Sequence, residues 1–354
     1  MQKIVLTGGG TAGHIYPALA IAELLEKEFE LHYIGSNGME KEILAKYKNI
    51  TFHEIESVKL ERKLTLKNLT IPFKLFKSIR RSKKILKQIS PVAIFSKGGY
   101  VALPVVIAGR KLKISIVSHE SDLTMGLANK IILRFCDYMC TAFEETSKVS
   151  PKCIWTGQPI RREVLNGDKT RLSFYKNLDH KKKNLLVVGG SSGAGFLNKI
   201  VKENLNELCE KFNVIHICGK NKLENIKHKN YYPFEYAHNI GDFLNLSDLV
   251  ISRAGSGAIN EFLALQKPML LIPLSKNCSR GDQIENAKLF HRLGHAEYLE
   301  EENFDKSKLF DKLDNLIELS EKNEKKLKKS VKIDICDHIC DVIKKSIAKK
   351  DNAN

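Results

Sequence analysis

The chain has 354 residues, of which 43% are hydrophobic and 28% charged, and its formal net charge at pH 7 is +17. These values are typical of a globular protein with two domains, and the charge predicts an anionic partner such as nucleic acid, an acidic membrane surface or a phosphate-bearing substrate. Eight cysteines in so long a chain do not make a disulfide scaffold. We find neither a signal-peptide pattern nor an apolar run of membrane-spanning length, so we expect reduced thiols in the cytosol.

The first predicted strand, residues 3–6, ends in a glycine-rich turn at residues 7–14, and a helix begins near Pro17. The glycines let the backbone approach a ligand closely. Their spacing differs from G-x-G-x-x-G and no acidic residue ends the second strand, so NAD binding is not expected. His14 lies in this turn and is our first candidate for a catalytic base, because an imidazole titrates near neutral pH. A structural or phosphate-contacting histidine explains the residue equally well.

Two further polar turns follow predicted strands, at residues 96–100 and 118–122. The alternation of strands and helices around them predicts a parallel, doubly wound sheet. Ligands bind beyond the carboxyl ends of such strands, so the three polar turns outline one wall of a cleft. His119, Glu120 and Asp122 compete with His14 for the role of base. The candidate residues of the second and third turns are Gly98, Gly99, Tyr100, His119, Glu120 and Asp122.

A basic and apolar segment lies between these turns, at residues 59–87, with eleven Lys or Arg against one Glu. One interpretation is a solvated helix face, and another is a surface that lies on anionic lipid headgroups. Nucleic acid ranks third, because only two aromatic side chains could stack on bases and no known motif is present. The candidate membrane residues are Phe73, Lys74, Phe76, Lys77, Arg80 and Arg81.

A turn at residues 156–162 is interpreted as the hinge between a domain of residues 1–158 and a second α/β domain of residues 159–334. Residues 335–354 are predicted to form a helix that packs back on the first domain and frays at its end.

The second domain contains a strand, a Gly/Ser turn at residues 252–257 and a helix that carries Glu261. Free N–H groups and the helix dipole make such a turn an anion site, and Glu261 is close enough to reach a sugar hydroxyl beside the anion. Asp282, Gln283 and Asn286 open the next helix. Together these residues predict a site for a nucleotide-linked sugar, and the plain alternative is an ordinary βα turn.

Seven motifs occur in the order in which they occur in the MurG family of glycosyltransferases, which the chain resembles from residue 1 to about residue 294. The motifs are GGGTAGHIYPALA, SKGGYVALPV, HESDLTMGLANK, TGQPIRREV, VVGGSSGAGFLN, SRAGSGAINEFLAL and GDQIENA. The resemblance implies a GT-B fold, in which two Rossmann-like domains face each other across a cleft.

The activity implied by the resemblance is inverting transfer of GlcNAc from UDP-GlcNAc to the 4-hydroxyl of MurNAc in undecaprenyl-diphospho-MurNAc-pentapeptide (lipid I), which forms lipid II for peptidoglycan. It also implies a peripheral protein on the anionic cytoplasmic face of the cell membrane, with no nucleic acid as partner, and it leaves room for proteins of the cell-wall machinery. The alternatives are a GT-B enzyme with a different lipid acceptor or sugar, and a non-catalytic protein that binds a nucleotide sugar or nucleic acid.

On this resemblance, Glu261 holds the ribose hydroxyls. Ser191 and the turn before Ser256 and Gly257 cradle the diphosphate, with Arg253 shaping that turn. Gln283, helped by Asp282 and Asn286, reads the GlcNAc hydroxyls. The residues expected to reach the donor from the first domain are Thr11, Ala12, Gly13, His14 and Arg161. The glycine turns of the first domain are expected to face the acceptor diphosphate, and the candidate acceptor residues are Gly98, Gly99, Tyr100 and His119.

Two departures from the family pattern affect single contacts. Ser121 and Asp122 stand where some members have a Gln-Asn pair, and residues 256–258 read Ser-Gly-Ala where some members have Ala-Leu-Thr. No Asp-x-Asp motif is present, and the CxxxC spacing of Cys336 and Cys340 is not a zinc-knuckle pattern. We therefore expect transfer without a metal or cofactor, since helix N-termini and Arg161 can stabilise the departing diphosphate.

Overall fold

The computed structural model describes residues 1–56, 70–190, 195–275, 281–323 and 335–352, without the side chains of residues 319–323. The chain divides into two compact units. The first unit contains Met1–Arg161 together with the last helix, and the second unit begins at Arg162.

The first unit is built on a seven-stranded sheet in which every pair of neighbouring strands is parallel. Its elements in chain order are β1 Gln2–Thr7, α1 Ala12–Leu25, β2 Phe29–Gly35, α2 Met39–Leu44, β3 Ile50–Glu54, α3 Ile71–Ile89, β4 Ala93–Ser96, α4 Ala102–Lys111, β5 Ser115–Glu120, α5 Leu127–Phe135, β6 Tyr138–Thr141, α6 Glu144–Ser147 and β7 Cys153–Trp155. The strand order is β3-β2-β1-β4-β5-β6-β7, so the order reverses between β1 and β4. That reversal leaves a crevice at the carboxyl ends of β1 and β4.

The second unit repeats this plan with a six-stranded parallel sheet of order β10-β9-β8-β11-β12-β13. Its elements in chain order are α7 Arg162–Leu165, β8 Lys183–Val188, α8 Gly195–Glu203, α9 Leu205–Lys211, β9 Phe212–Ile217, β10 Tyr231–Phe234, α10 Ile240–Leu246, β11 Leu249–Ser252, α11 Ser256–Ala264, β12 Met269–Leu271, α12 Asp282–Arg292, β13 Ala296–Tyr298 and α13 Lys306–Asn323. The order reverses between β8 and β11. The doubly wound parallel sheets predicted for both halves are confirmed.

The central strands form because their residues are apolar on both faces, as a sheet covered by helices on both sides requires. Ile4, Val5 and Leu6 of β1 have no exposed surface, and their side chains alternate between two separate apolar clusters. The last helix, α14 Ile335–Asp351, belongs to the first unit. Its Ile339 and Ile343 are fully buried in the same cluster as Ile4.

α14 is also tied to the sheet by hydrogen bonds. The hydroxyls of Ser346 and Ser115 are 2.6 Å apart and buried, and Lys350 donates to the carbonyl of Ile114. Among the described residues, no helix combines the length and the apolar character that a bilayer crossing requires.

Candidate active site

The first glycine turn, between β1 and α1, is hydrogen-bonded to the buried side chain of Glu40 in α2. The backbone N–H of Gly10 donates to Glu40 Oε1 over 2.7 Å, and the Ser36 hydroxyl donates to Oε2 over 3.1 Å. Glu40 is 1% exposed, and a Cβ on Gly9 would lie 1.7 Å from its Oε1. Gly9 is therefore required by the packing of the protein on itself, and the Gly10 N–H already has an acceptor.

His14 lies in the first turn of α1, beside the second polar turn. Its Nδ1 is 2.9 Å from the hydroxyl of Thr11, the residue before the helix, and its backbone N–H donates to the Thr11 carbonyl. A Cβ on Gly99 would lie 3.6 Å from His14 Nε2, so the two turns adjoin. Thr11 and Gly13 are exposed and Ala12 is half-buried. The role of His14 as the base stays a prediction.

The second polar turn, after β4, depends on glycine for its backbone. Gly98 and Gly99 have φ values of +84° and +82°, in the left-handed region that side chains disfavour. A Cβ on Gly98 would lie 2.2 Å from Asn129 Oδ1. Tyr100 is half-buried, with its ring against Gly10. Both glycine turns of the first unit are therefore closely packed against its own side chains.

In the third turn, the carboxylate of Glu120 is bonded to the loop that follows β5. One carboxylate oxygen accepts the Asp122 N–H over 2.9 Å, and the other accepts the Gly126 N–H over 3.0 Å and the Asn129 amide over 2.9 Å. Glu120 is 4% exposed. The structure thus gives Glu120 a role in closing the loop that precedes α5, and its role as a base stays a prediction. Asp122 is half-buried at the start of that loop.

His119 has no exposed surface, so any effect on a ligand at this turn would be indirect. Its Nε2 is 2.8 Å from the carbonyl oxygen of Gly157, and its Nδ1 is 2.6 Å from Nζ of Lys97. Burial, with the nearby Lys97 charge, holds the pKa of His119 well below its ordinary value. The imidazole is therefore neutral at physiological pH.

Arg161 is the last residue of the segment Met1–Arg161 in the first unit, and its side chain lies against α1. Its guanidinium carbon is 4.0 Å from the ring centroid of Tyr16, a cation–π distance. Tyr16 follows His14 by two residues on α1, so the Arg161 guanidinium lies against the first turns of the helix that begins at the first glycine turn.

The N-terminus of α11 in the second unit is less crowded by the described residues than the glycine turns of the first unit. A Cβ on Gly190, Gly255 or Gly257 would meet no atom of a described residue within 4 Å. Helix N-termini attract anions through their free N–H groups and their dipole. Gly257 and Glu261 share one face of α11, since they are four residues apart, and Glu261 is partly exposed. The predicted anion site and carboxylate therefore lie on one helix end.

The buried side chains of Arg253 and Asn286 fix the turn before α11. Arg253 donates to the carbonyl of Ile272 over 3.0 Å, and its second terminal nitrogen is 2.5 Å from a carboxylate oxygen of Glu301. Asn286 is 1% exposed, and its amide donates to the Ala254 carbonyl over 3.1 Å. These contacts hold Arg253 in the turn before α11, and its effect on a bound donor stays a prediction. The amide N–H group of Asn286 bonds to the same turn.

The start of α12 supplies the other predicted sugar contacts. Gln283 and Asp282 are half-buried, and Gln283 Oε1 accepts the Leu274 N–H over 3.0 Å. That bond fixes Gln283 to the segment after β12, so its amide group has a set position. Ser191, the predicted diphosphate contact of the glycine turn after β8, lies outside the described residues.

The described part of the basic segment, from residue 70 onward, is helix α3; residues 59–69 lie outside the described residues. Its inner face is buried through Ser78, Ser82, Ile85, Leu86 and Ile89. Phe73 and Phe76 are 76% and 61% exposed. They share one stripe with Lys77 and Arg80 by helical spacing, and Lys74 and Arg81 are also exposed. Lys77 forms an ion pair with Glu56 at 2.7 Å.

Three residues of this architecture were not predicted: Glu40, Lys97 and Glu301. Glu40 and Glu301 occur in ordinary polar stretches, and their partners lie 30 and 48 residues away in the chain. Lys97 could have been identified from the sequence, because a lysine directly after a buried strand is expected to bury its aliphatic side chain or its charge.

The sequence matches two family models, which are described as the glycosyltransferase family 28 N-terminal domain over residues 4–141 and the C-terminal domain over residues 184–340. A UDP-N-acetylglucosamine--N-acetylmuramyl-(pentapeptide) pyrophosphoryl-undecaprenol N-acetylglucosamine transferase of Clostridium perfringens strain SM101 is 46% identical over 351 residues, covering 97% of this chain and 98% of the relative. A protein of the same name from Clostridium botulinum strain Alaska E43 is 46% identical over 315 residues, covering 87% and 88%.

Solved structures show the same fold. The Acinetobacter baumannii MurG crystal structure matches with a TM-score of 0.74 at 24% identity, covering 98% of this chain and 100% of that one. The calicheamicin glycosyltransferase CalG4 matches with a TM-score of 0.70 at 11% identity, covering 98% of both chains. These matches confirm the GT-B fold class predicted from the sequence.

The contrast between crowded and open glycines predicts opposite effects of one substitution. Gly9→Ala should lower the free energy of unfolding by roughly 1–3 kcal/mol, because its Cβ displaces Glu40 from the Gly10 N–H. Gly257→Ala should leave it unchanged or raise it by up to about 1 kcal/mol, because alanine favours a helix and no atom of the described residues lies within 4 Å of the added Cβ. Thermal unfolding followed by circular dichroism measures both. A lower midpoint for Gly257→Ala would contradict the open surroundings of that residue.

Proposed function

The chain belongs to glycosyltransferase family 28, and we propose that it transfers N-acetylglucosamine from UDP-GlcNAc to the 4-hydroxyl of MurNAc in lipid I, forming lipid II. The observation that carries this proposal is the 46% identity to the Clostridium perfringens transferase over 97% of the chain. The open N-terminus of α11 supports it, because a nucleotide diphosphate is the kind of anion that such a helix end binds.

The reaction exchanges one bond at the anomeric carbon of the sugar. The acceptor hydroxyl attacks that carbon, the bond to the UDP oxygen breaks, and the configuration changes from α to β. A base takes the proton of the hydroxyl, and UDP leaves with the electron pair of the broken bond. The step therefore requires a base near the acceptor and stabilisation of the negative charge that develops on the diphosphate.

On the donor side, the α11 N-terminus is assigned to the diphosphate and Glu261 to the ribose hydroxyls. Gln283 and Asp282 are assigned to the GlcNAc hydroxyls. The fixed positions of the α11 turn and of Gln283 support these assignments, because pre-organised donors need no rearrangement when charge develops. Arg161 keeps the donor role that the family resemblance implies for it, and the proposal includes no metal ion or other cofactor.

On the acceptor side, His14 is the proposed base. The Thr11 hydroxyl orients its ring through Nδ1, which leaves Nε2 toward the second polar turn. A lipid-linked acceptor requires the protein to work at a membrane surface, and α3 is proposed to lie on the anionic cytoplasmic face. Exposed aromatic rings in a stripe with basic side chains are the combination that binds such a surface.

The test of this function is transfer of radiolabel from UDP-[14C]GlcNAc to a lipid I analogue. We expect product from UDP-GlcNAc, none from UDP-glucose or UDP-GalNAc, and an unchanged rate in EDTA. Loss of the product in EDTA would contradict the metal-independent step. UDP-GlcNAc binding without transfer would contradict the acceptor and favour a different lipid.

Glu261→Ala should raise the donor KM by roughly tenfold to a hundredfold, because a charge-assisted hydrogen bond to the ribose is lost. Steady-state kinetics against UDP-GlcNAc measures this. The control is Glu210→Ala, which removes an exposed glutamate from α9 of the same unit. Equal KM values in the two variants would remove Glu261 from the donor site.

Replacing Lys74, Lys77, Arg80 and Arg81 together by Gln should weaken binding to vesicles of phosphatidylglycerol and phosphatidylcholine at least about tenfold. Transfer to a short-chain, water-soluble acceptor should be unaffected. Vesicle sedimentation and the transfer assay measure the two quantities.

The control carries the same loss of charge on the second unit, through Gln at the exposed Lys176, Lys181, Lys220 and Lys227. An equal loss of vesicle binding in this control would show that net charge, and not the surface of α3, governs the attachment.

A further inference from the structure

Lys97 is a buried charge that the reaction described above does not use. It follows β4 directly, at the strand-order reversal, and is 1% exposed. Its backbone N–H donates to the Thr7 carbonyl over 2.7 Å, and a Cβ on Gly8 would lie 2.9 Å from the Lys97 Cβ. The side chain therefore runs beneath the first and second glycine turns, and no ligand can reach its ammonium directly.

Within the part of the chain that the structure describes, the ammonium has three acceptors. Nζ lies 2.6 Å from His119 Nδ1, within hydrogen-bond distance of the Ser121 hydroxyl, and 3.5 Å from Gln158 Oε1. The His119 tautomer follows from its other contact. The Gly157 carbonyl can only accept, so Nε2 carries the proton and Nδ1 of the neutral ring accepts from Lys97. A protonated lysine has three N–H donors for these acceptors, whereas the neutral amine has two.

These bonds join three separate segments of the first unit. One is the second glycine turn, which Lys97 itself begins. The second is the turn after β5, where Ser121 adjoins Asp122. The third is the stretch at residues 157–158, three residues before Arg161. Each segment contains or adjoins a candidate site residue, namely Gly98 in the second glycine turn, Asp122 in the turn after β5, and Arg161 after residues 157–158.

The charges around Lys97 oppose its burial. Desolvation by burial disfavours the ammonium and outweighs the attraction of Glu120 and Asp122 in the turn after β5, so the pKa of Lys97 is lowered to about 7. His119 is neutral. Cys140 of β6 also faces this group, and burial raises the pKa of its thiol to about 12, so it carries no charge at working pH.

We propose that Lys97 is a positioning residue for the transfer reaction, and that its ammonium holds the turn after β5 and the stretch before Arg161 in the arrangement that the reaction needs. The proposal rests on the proposed function. Loss of the third N–H donor on deprotonation releases one of the three segments, so activity falls on the alkaline side as the ammonium loses its proton. The acid side of the profile reports the base.

The experiment measures kcat and both KM values of the full chain from pH 6 to 10. The wild-type kcat should show an alkaline decrease. Lys97→Met should lower kcat tenfold or more, with the donor KM changed less than threefold and the alkaline decrease absent. Lys97→Arg keeps the charge, so whatever activity it has should persist to higher pH. The control is Lys111→Met, which removes an exposed lysine at the end of α4 and should match the wild type.

Ser121→Ala gives a second readout that does not depend on the folding of the Lys97 variants. It removes one acceptor of the ammonium, so the alkaline decrease should move to lower pH. A purely structural lysine would change the thermal midpoint and leave the shape of the profile unaltered. A wild-type kcat and profile in Lys97→Met, or an unmoved profile in Ser121→Ala, would overturn the proposal. Absence of transfer by the wild type would instead overturn the proposed function.

Unfolding at different pH values checks the buried charge itself. The pKa of Lys97 is lower in the folded chain than in the unfolded chain, so the unfolded chain binds more protons between the two values. Below about pH 7 the buried ammonium of Lys97 lowers the free energy of unfolding. This free energy increases as the pH rises above about 7, because Lys97 then loses its proton in the folded chain. Wild type should gain stability relative to Lys97→Met over that range. A constant difference between them would show that Lys97 does not titrate in the folded protein.

Discussion

Both units depend on the same constraint of parallel sheets. All strands of such a sheet end at one edge, and where the strand order reverses, the two adjoining connections leave toward opposite faces. The reversal lies between β1 and β4 in the first unit and between β8 and β11 in the second. In the first, the protein's own side chains fill the space around the glycines, whereas in the second no described residue would contact a Cβ at Gly255 or Gly257 beside the α11 N-terminus. The same topology thus supports closely packed turns in one unit and the helix end proposed for the diphosphate in the other.

Three turns at the strand ends are held in the same way, by a buried polar side chain that bonds to the backbone. Glu40 holds the first glycine turn, Glu120 closes the loop before α5, and Arg253 fixes the turn before α11. Each bonds to buried or partly buried backbone groups, which favours one conformation of the loops at the strand ends. A site that stabilises developing charge benefits from such fixed dipoles, because no reorganisation accompanies the reaction.

The periodic elements and the glycine turns could be predicted because their signals are local. Apolar runs identify strands such as β1, and a Gly/Ser turn before an amphipathic helix identifies the start of α11. The supporting residues could not be predicted in the same way. His119 and Glu120 have the pattern of ligand-facing residues at a strand end, yet the structure places them inside their own unit. A polar residue in that position looks the same in sequence whether its partner is a ligand or a carbonyl 38 residues away, as Gly157 is for His119.

The placement of α14 has a consequence for synthesis on the ribosome. The core of the first unit includes Ile339 and Ile343, which are translated after the whole of the second unit. A nascent chain that has reached the end of α7 therefore contains every strand of the first sheet but exposes the apolar surface that α14 later covers. The second unit has all of its strands and helices in one continuous stretch of sequence and can complete its core earlier. The domain that begins first is thus the one completed last, and its apolar surface stays uncovered until α14 has been translated.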